Sequence, residues 1–156
     1  MTSRRSLALL VAVLAIVVAG CGGGSSAAPT LAEYQESVVT TRDRVDFALA
    51  RITNAKSKVE FLDRMDEAAV VIDDAGSDLD DTGAPQGFED ETDKLAGALH
   101  QLSVDLEATA HDIREPGSGL IGPGLQGLSF ESWDDANLVL ASLIGQGIKV
   151  ELIARH

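Results

Sequence analysis

The stretch FEDETDKLAGALHQLSVDLEATAHDI, residues 88–113, decides the fold class. Its apolar and small positions recur at alternating spacings of four and three. Phe88, Leu95, Leu102 and Thr109 fall on one heptad line, and Thr92, Leu99, Leu106 and Ile113 on the other. That is the period of an α-helix burying one seam, whereas a half-buried strand would alternate in steps of two. Pro116 cannot continue the helix and limits it.

The same count extends towards the N-terminus. Leu62, Ala69 and Gly76 interleave with Met65, Ile72 and Leu79, behind a capping box of Ser57 and Glu60. The small residues Ala68, Ala69, Ala75 and Gly76 should let a neighbouring helix come close. Further back, Leu31, Val38, Val45 and Ile52 interleave with Tyr34, Thr41 and Ala48, and Thr30 with Glu33 forms another capping box. Asn54-Ala55-Lys56 separates these two helices only weakly, so one long bent helix stays open at this point. Asp80 to Gly87, with Thr82-Gly83-Ala84-Pro85, is a firmer break.

On the C-terminal side, residues 115–131 carry five glycines and two prolines, which is long for a helix connection. Leu120, Ile121, Leu125, Leu128 and Phe130 make it a loop lying on the bundle or a loop that binds a partner or ligand. Ser132 with Asp135 opens a last helix expected to reach Ala154. One of its faces holds Ala136, Leu140, Leu143 and Val150, and a second stripe holds Ala141, Ile144, Ile148 and Leu152. So wide an apolar arc suits a central helix or one that meets a partner. Gly145-Gln146-Gly147 falls inside it and would permit close helix contact. Tyr34 and Trp133, near helix starts, should anchor the bundle ends. Four amphipathic helices predict an all-α domain, an antiparallel four-helix bundle over residues 30–156.

The first 29 residues read differently. Arg4 and Arg5 precede a 13-residue apolar run, Leu7 to Ala19, which as a helix spans only about 20 Å against a hydrocarbon core of about 30 Å. This is the layout of a secretory signal peptide rather than a membrane span. It ends in Val18-Ala19-Gly20-Cys21, whose cysteine is the only one in the chain. These four residues resemble the lipobox of bacterial lipoproteins. The resemblance implies a diacylglyceryl group on the Cys21 sulfur, cleavage before Cys21 with Val18, Ala19 and Gly20 as the recognised residues, and often acylation of the new amino group. It implies residues 1–20 as signal peptide and residues 21–29 as lipidated cysteine and tether. It also implies an address on the extracytoplasmic face of the cell membrane, held by the lipid. Each buried methylene contributes about 0.8 kcal/mol, so two or three chains hold firmly where one is marginal. The Gly22–Ala28 run has the composition of a random-coil spacer. With little lysine and much Ala, Val, Asp and Gly, the chain is similar to small helical actinobacterial lipoproteins, a likeness that carries over no functional residue.

Loss of residues 1–20 removes Arg4 and Arg5, leaving 10 basic against 25 acidic residues over 136, a formal charge of −15. That balance opposes contact with nucleic acid or anionic headgroups and favours solubility, cations or a basic partner. With Cys21 lipidated, no cysteine remains for a disulfide, and packing alone must hold the domain.

Candidate chemistry is sparse. Counting from Asp78 puts Asp78 at position 1, Asp80 at 3, Thr82 at 5, Gly83 at 6 and Glu89 at 12 of a calcium loop. Thr82 and Pro85 depart from that pattern, the latter by lacking a donor N–H. His100 and His111 fall on outer heptad positions, with no third ligand placed beside them. No nucleophile with a base, paired inward carboxylates or phosphate-binding glycine motif is evident, so the expectation is a protein that is not an enzyme. The sequence therefore predicts a membrane-anchored envelope lipoprotein whose helical domain serves protein interaction or structure, with an envelope protein as partner and no nucleic acid. The alternative is a cation or small-ligand module using the loop 78–89, with calcium as its ion and no other cofactor.

Overall fold

The computed structural model describes residues 28–115 and 130–156. Among them the secondary structure is entirely helical, in four elements: α1 (Leu31–Thr53), α2 (Lys58–Thr82), α3 (Glu89–Arg114) and α4 (Glu131–Gly145). They form a helical bundle in which α1 packs on α2, α2 on α3, and α3 on α4. Side chains that bridge neighbours set the direction. Arg51 meets Glu67 while Arg44 meets Asp78, so α1 and α2 run antiparallel. Asp66 with Arg114 and Asp73 with His100 show the same of α2 and α3, as Asp105 with Ser132 and Glu91 with Gln146 do of α3 and α4.

Local chemistry explains the boundaries. The Thr30 hydroxyl accepts from the Glu33 N–H at 3.3 Å and the Thr30 N–H donates to the Glu33 carboxylate at 2.8 Å, completing the expected capping box. The main-chain N–H of Thr30 foremost, and its hydroxyl, which also donates to the Glu33 carboxylate at 2.8 Å, hold that carboxyl below the usual glutamate range. Helices α1 and α2 are separate. Asn54 ends α1 by donating from its amide to the Ala50 carbonyl, and Ser57 restarts the chain by accepting from the Glu60 N–H at 3.1 Å. Glu60 turns to the Lys56 N–H at 2.7 Å, so this second box is made with a neighbouring donor.

The core follows the heptad lines. Val38, Val45, Ile52, Met65, Ile72, Leu79, Leu102 and Leu106 are fully buried. Burying each large aliphatic side chain contributes about 1.5–3 kcal/mol, against the entropy of ordering it. The pattern weakens at the ends: Leu31 is 54% exposed and Thr109 half-buried. Gly76 lets α3 lie close on α2, since a Cβ there would sit 3.3 Å from the Ala96 carbonyl oxygen and from the Leu99 Cβ. Tyr34 is buried where α1 and α3 begin, 5.4 Å between ring centroids from Phe88. Thr92 donates to the Phe88 carbonyl, so its oxygen is left to accept from the Tyr34 hydroxyl at 2.8 Å. Burial raises the Tyr34 pKa above the ordinary phenol value, partly offset by that bond.

The last helix differs from the sequence expectation. It opens at Glu131, with Ser132 donating to Asp105 rather than capping, and it stops at Gly145 instead of reaching Ala154. The physical reason is a Schellman turn: Gly147 takes φ +99°, its N–H bonds to the Ile144 carbonyl at 3.0 Å, and the Ile148 N–H bonds to the Leu143 carbonyl at 3.0 Å. Ile148 and Leu143, brought together by that turn, are both buried. The segment beyond, residues 148–156, has no helix and is called the strap below. Lys149 meets Gln35 and Ala154 meets Asp46, so the strap runs parallel to α1. Five residue steps of extended chain cover about 16 Å. Eleven steps of helix cover about the same distance, which identifies the strap as extended. Its contacts with Asn137 and Asp134 on α4 let it bridge α4 back to α1.

Candidate functional site

The strap and the helices beside it form the most developed polar arrangement outside the core. Its grip is on main chain. The Asn137 amide donates to the Ile153 carbonyl at 3.1 Å and accepts from the Ile153 N–H at 2.8 Å, satisfying both main-chain groups of one residue. Arg42, on α1, donates from Nε and from a terminal nitrogen to the Leu152 carbonyl at 3.2 and 2.8 Å. Asp46, one helical turn on, accepts from the Ala154 N–H at 2.9 Å, and Gln35 accepts from the Lys149 N–H at 3.2 Å. Helical spacing puts these groups in line, since Gln35, Arg42 and Asp46 recur at intervals of seven and four on one face of α1. Ile148 and Ile153 are buried as the apolar anchors, while Leu152 stays half-exposed.

Charged contacts surround this grip. Arg42 also pairs with Asp43 at 2.9 Å and Glu151 at 3.4 Å, and its side chain is only 16% exposed. Arg155 pairs with Asp134 and lies over the Trp133 ring, 5.9 Å from its centroid. His156 meets Asp46 at 3.2 Å. Between α1 and the strap a cleft of about 480 Å³ opens, lined by Val39, Arg42, Asp43, Lys149, Val150 and Glu151. Two valines and the guanidinium of Arg42, held by the Leu152 carbonyl, Asp43 and Glu151, make it a place for chain to lie against, with acidic and basic groups at its rim.

The sequence-chosen residues lie elsewhere. Val18, Ala19, Gly20 and Cys21 fall outside the described residues, as do the tether as far as Ala27 and most of the 115–131 loop, including Leu120, Ile121, Leu125 and Leu128. Asp78, Asp80 and Thr82 belong to the last turns of α2, and Glu89 is the first residue of α3. Asp78 pairs with Arg44, Thr82 donates to the Asp78 carbonyl at 2.7 Å, and Glu89 accepts from the Gly87 N–H at 2.6 Å. Main-chain donors at the start of α3 thus keep the Glu89 carboxyl below its usual range. The helical course of α2 points successive side chains around its axis rather than inward upon an ion. His100 meets Asp73 at 2.7 Å and His111 lies 4.0 Å from Glu115, both exposed. Among the described residues no group of three or more His, Cys, Asp or Glu side chains could hold a metal ion. No helix among them is long and apolar enough to cross a membrane.

Gln35, Arg42, Asp46 and Asn137 were not singled out from the sequence, because residues 148–154 were read as helix. The signal that finds them is Gly147 followed by Ile148 and preceded by Leu143, the spacing of a Schellman turn with its apolar contact. No family model, curated protein or solved structure matches this chain.

Proposed function

We propose that this chain is a lipid-anchored protein of the bacterial cell envelope, lipidated at Cys21, whose acidic helical domain works by binding protein rather than by catalysis. The observation that carries the reading is Val18-Ala19-Gly20-Cys21 closing a 13-residue apolar run behind Arg4 and Arg5. The capping box at Thr30 supports the tether, since it starts ordered helix nine residues after Cys21, a reach of about 30 Å in extended chain. A site that grips extended main chain supports binding over chemistry. The cation module at residues 78–89 ranks second because Asp78, Thr82 and Glu89 are already engaged with Arg44, the Asp78 carbonyl and Gly87.

Anchoring is tested by feeding cells an alkyne-tagged fatty acid and comparing the full chain with Cys21→Ala. The expected result is a labelled, detergent-partitioning wild type and an unlabelled, uncleaved variant. Equal labelling and equal membrane retention of the two would reject lipidation at Cys21.

A further inference from the structure

The groove between α1 and α4 has the construction of a peptide-binding site, filled by the chain's own strap. Most of its hydrogen bonds go to the strap's main chain: the N–H groups of Lys149, Ile153 and Ala154 and the carbonyls of Leu152 and Ile153. The groups that supply them, Gln35, Arg42, Asp46 and Asn137, all belong to the helices. Buried side-chain readout comes from two isoleucines, Ile148 and Ile153, while Glu151, Arg155 and His156 add ion pairs with Arg42, Asp134 and Asp46 at the rim. Such a groove recognises an extended segment with isoleucines five residues apart, and nothing in these contacts requires that segment to come from the same molecule.

We propose that this groove binds the strap of a second copy of the chain, giving a reciprocal, two-fold exchanged dimer. A second copy is the occupant whose fit is given by the closed form, because its residues 148–156 carry the same groups for Gln35, Arg42, Asp46 and Asn137 to hold. The covalent link between strap and body passes through Gly145-Gln146-Gly147, where no neighbouring atom lies within 4 Å of a Cβ position on either glycine. Turning the strap outward there costs the Schellman bonds of Gly147 and Ile148 and the contact of Ile148 with Leu143, and it displaces no side chain on either glycine. Exchange of one element between identical protomers makes the same contacts as the closed form, which is why it needs little net driving force. The proposal rests on the binding reading above, for which it names the partner, and it does not need the lipid.

A cysteine cross-link tests it. Asp134 and Arg155 pair across the groove edge and are both more than half exposed, so each tolerates replacement. Full-length chains carrying Asp134→Cys and chains carrying Arg155→Cys are purified in detergent, mixed, warmed and treated with a short bismaleimide. Cross-linked peptides are then mapped by mass spectrometry. The double variant, Asp134→Cys with Arg155→Cys in one chain, should bridge 134 to 155, within one chain in the closed form and between chains in the exchanged form, and so verify the seat of the strap. The mixture should give 134-to-155 links between chains in at least about fivefold excess over 134-to-134 and 155-to-155 links, because a seated strap raises the effective concentration of that one pair. Inter-chain links at the proportions of random collision, with the double variant bridging, overturn the exchange. A double variant that does not bridge overturns the groove itself. Mapping the link to positions 134 and 155 separates it from any reaction of an unlipidated Cys21, so failure of the anchor reading shows independently.

Discussion

At the scale of single residues, two glycines one helix apart carry opposite meanings. Gly97 lies mid-α3 on an exposed face, with a helical φ and nothing within 4 Å of an added Cβ. Gly147 has equal space around it and φ +99°. Space is therefore not what distinguishes them; backbone conformation is. Replacing Gly97 by alanine removes conformational freedom from the unfolded chain without strain. Gly97→Ala should stabilise by roughly 0.5–1 kcal/mol. Gly147→Ala forces a Cβ into the left-handed region and should cost about 1–2 kcal/mol, while loosening the strap that the turn launches. Urea unfolding followed by circular dichroism reads both, as midpoint shifts of opposite sign.

At the scale of elements, α1, α2 and α3 were legible because each keeps an unbroken heptad count, with capping boxes opening α1 and α2 and a stop after α2 and α3; only the break between α1 and α2 stayed open. Thr30, Ser57 and Pro116 mark boundaries or bound them closely, and Asn54, a weak signal in the sequence, ends α1 through its side-chain bond to Ala50. The last element failed because Ile144, Ile148 and Leu152 keep helical spacing across a turn that ends the helix. An extended strap with Ile148 and Ile153 buried leaves an apolar record that a wide-faced helix also leaves. With the strap read as helix, its site was illegible, since Asn137 and Arg42 have no visible role until extended main chain lies beside them. The proposed anchoring segment rests on different grounds, those of motif, and lies outside the described residues. Element ends also carry the domain's acid response. The Glu33 carboxyl is held below the ordinary glutamate range in the fold, so its stabilising share is present above that range and is lost as the pH falls through the lowered value. Thr30→Ala takes away the hydroxyl half of the box, while the main-chain N–H at that position survives. The variant should be less stable near neutral pH by about 0.5–2 kcal/mol, the usual worth of an N-cap side chain. Its deficit should narrow once the pH lies below the glutamate range, where the carboxylate is protonated in folded and unfolded chains alike. Urea midpoints of both chains at the two pH values check this; a deficit that widens in acid would contradict it.

At the scale of the whole molecule, charge is the unbalanced quantity. All six arginines among the described residues, Arg42, Arg44, Arg51, Arg64, Arg114 and Arg155, pair with carboxylates. Most of these partners are substantially exposed, and such pairs contribute about 0–1 kcal/mol each. Twenty-five acidic residues against so few cations leave a carboxylate excess that the pairs cannot neutralise. Salt acts on both terms. The pairs act over a few ångströms, whereas the repulsion is summed over longer distances and is cut once the Debye length falls to about 10 Å at 0.1 M. Relief of repulsion should therefore win, and the melting temperature should rise with sodium chloride. The same scan separates general screening from a specific cation site. At matched ionic strength, calcium should raise the melting temperature no further than the screening of surface carboxylates accounts for, and without localised amide shifts. A larger rise, with shifts concentrated at Asp78, Asp80, Thr82 and Glu89, would require α2 to unwind its last turn around the ion. That result would move the 78–89 segment ahead of the strap groove as the functional surface.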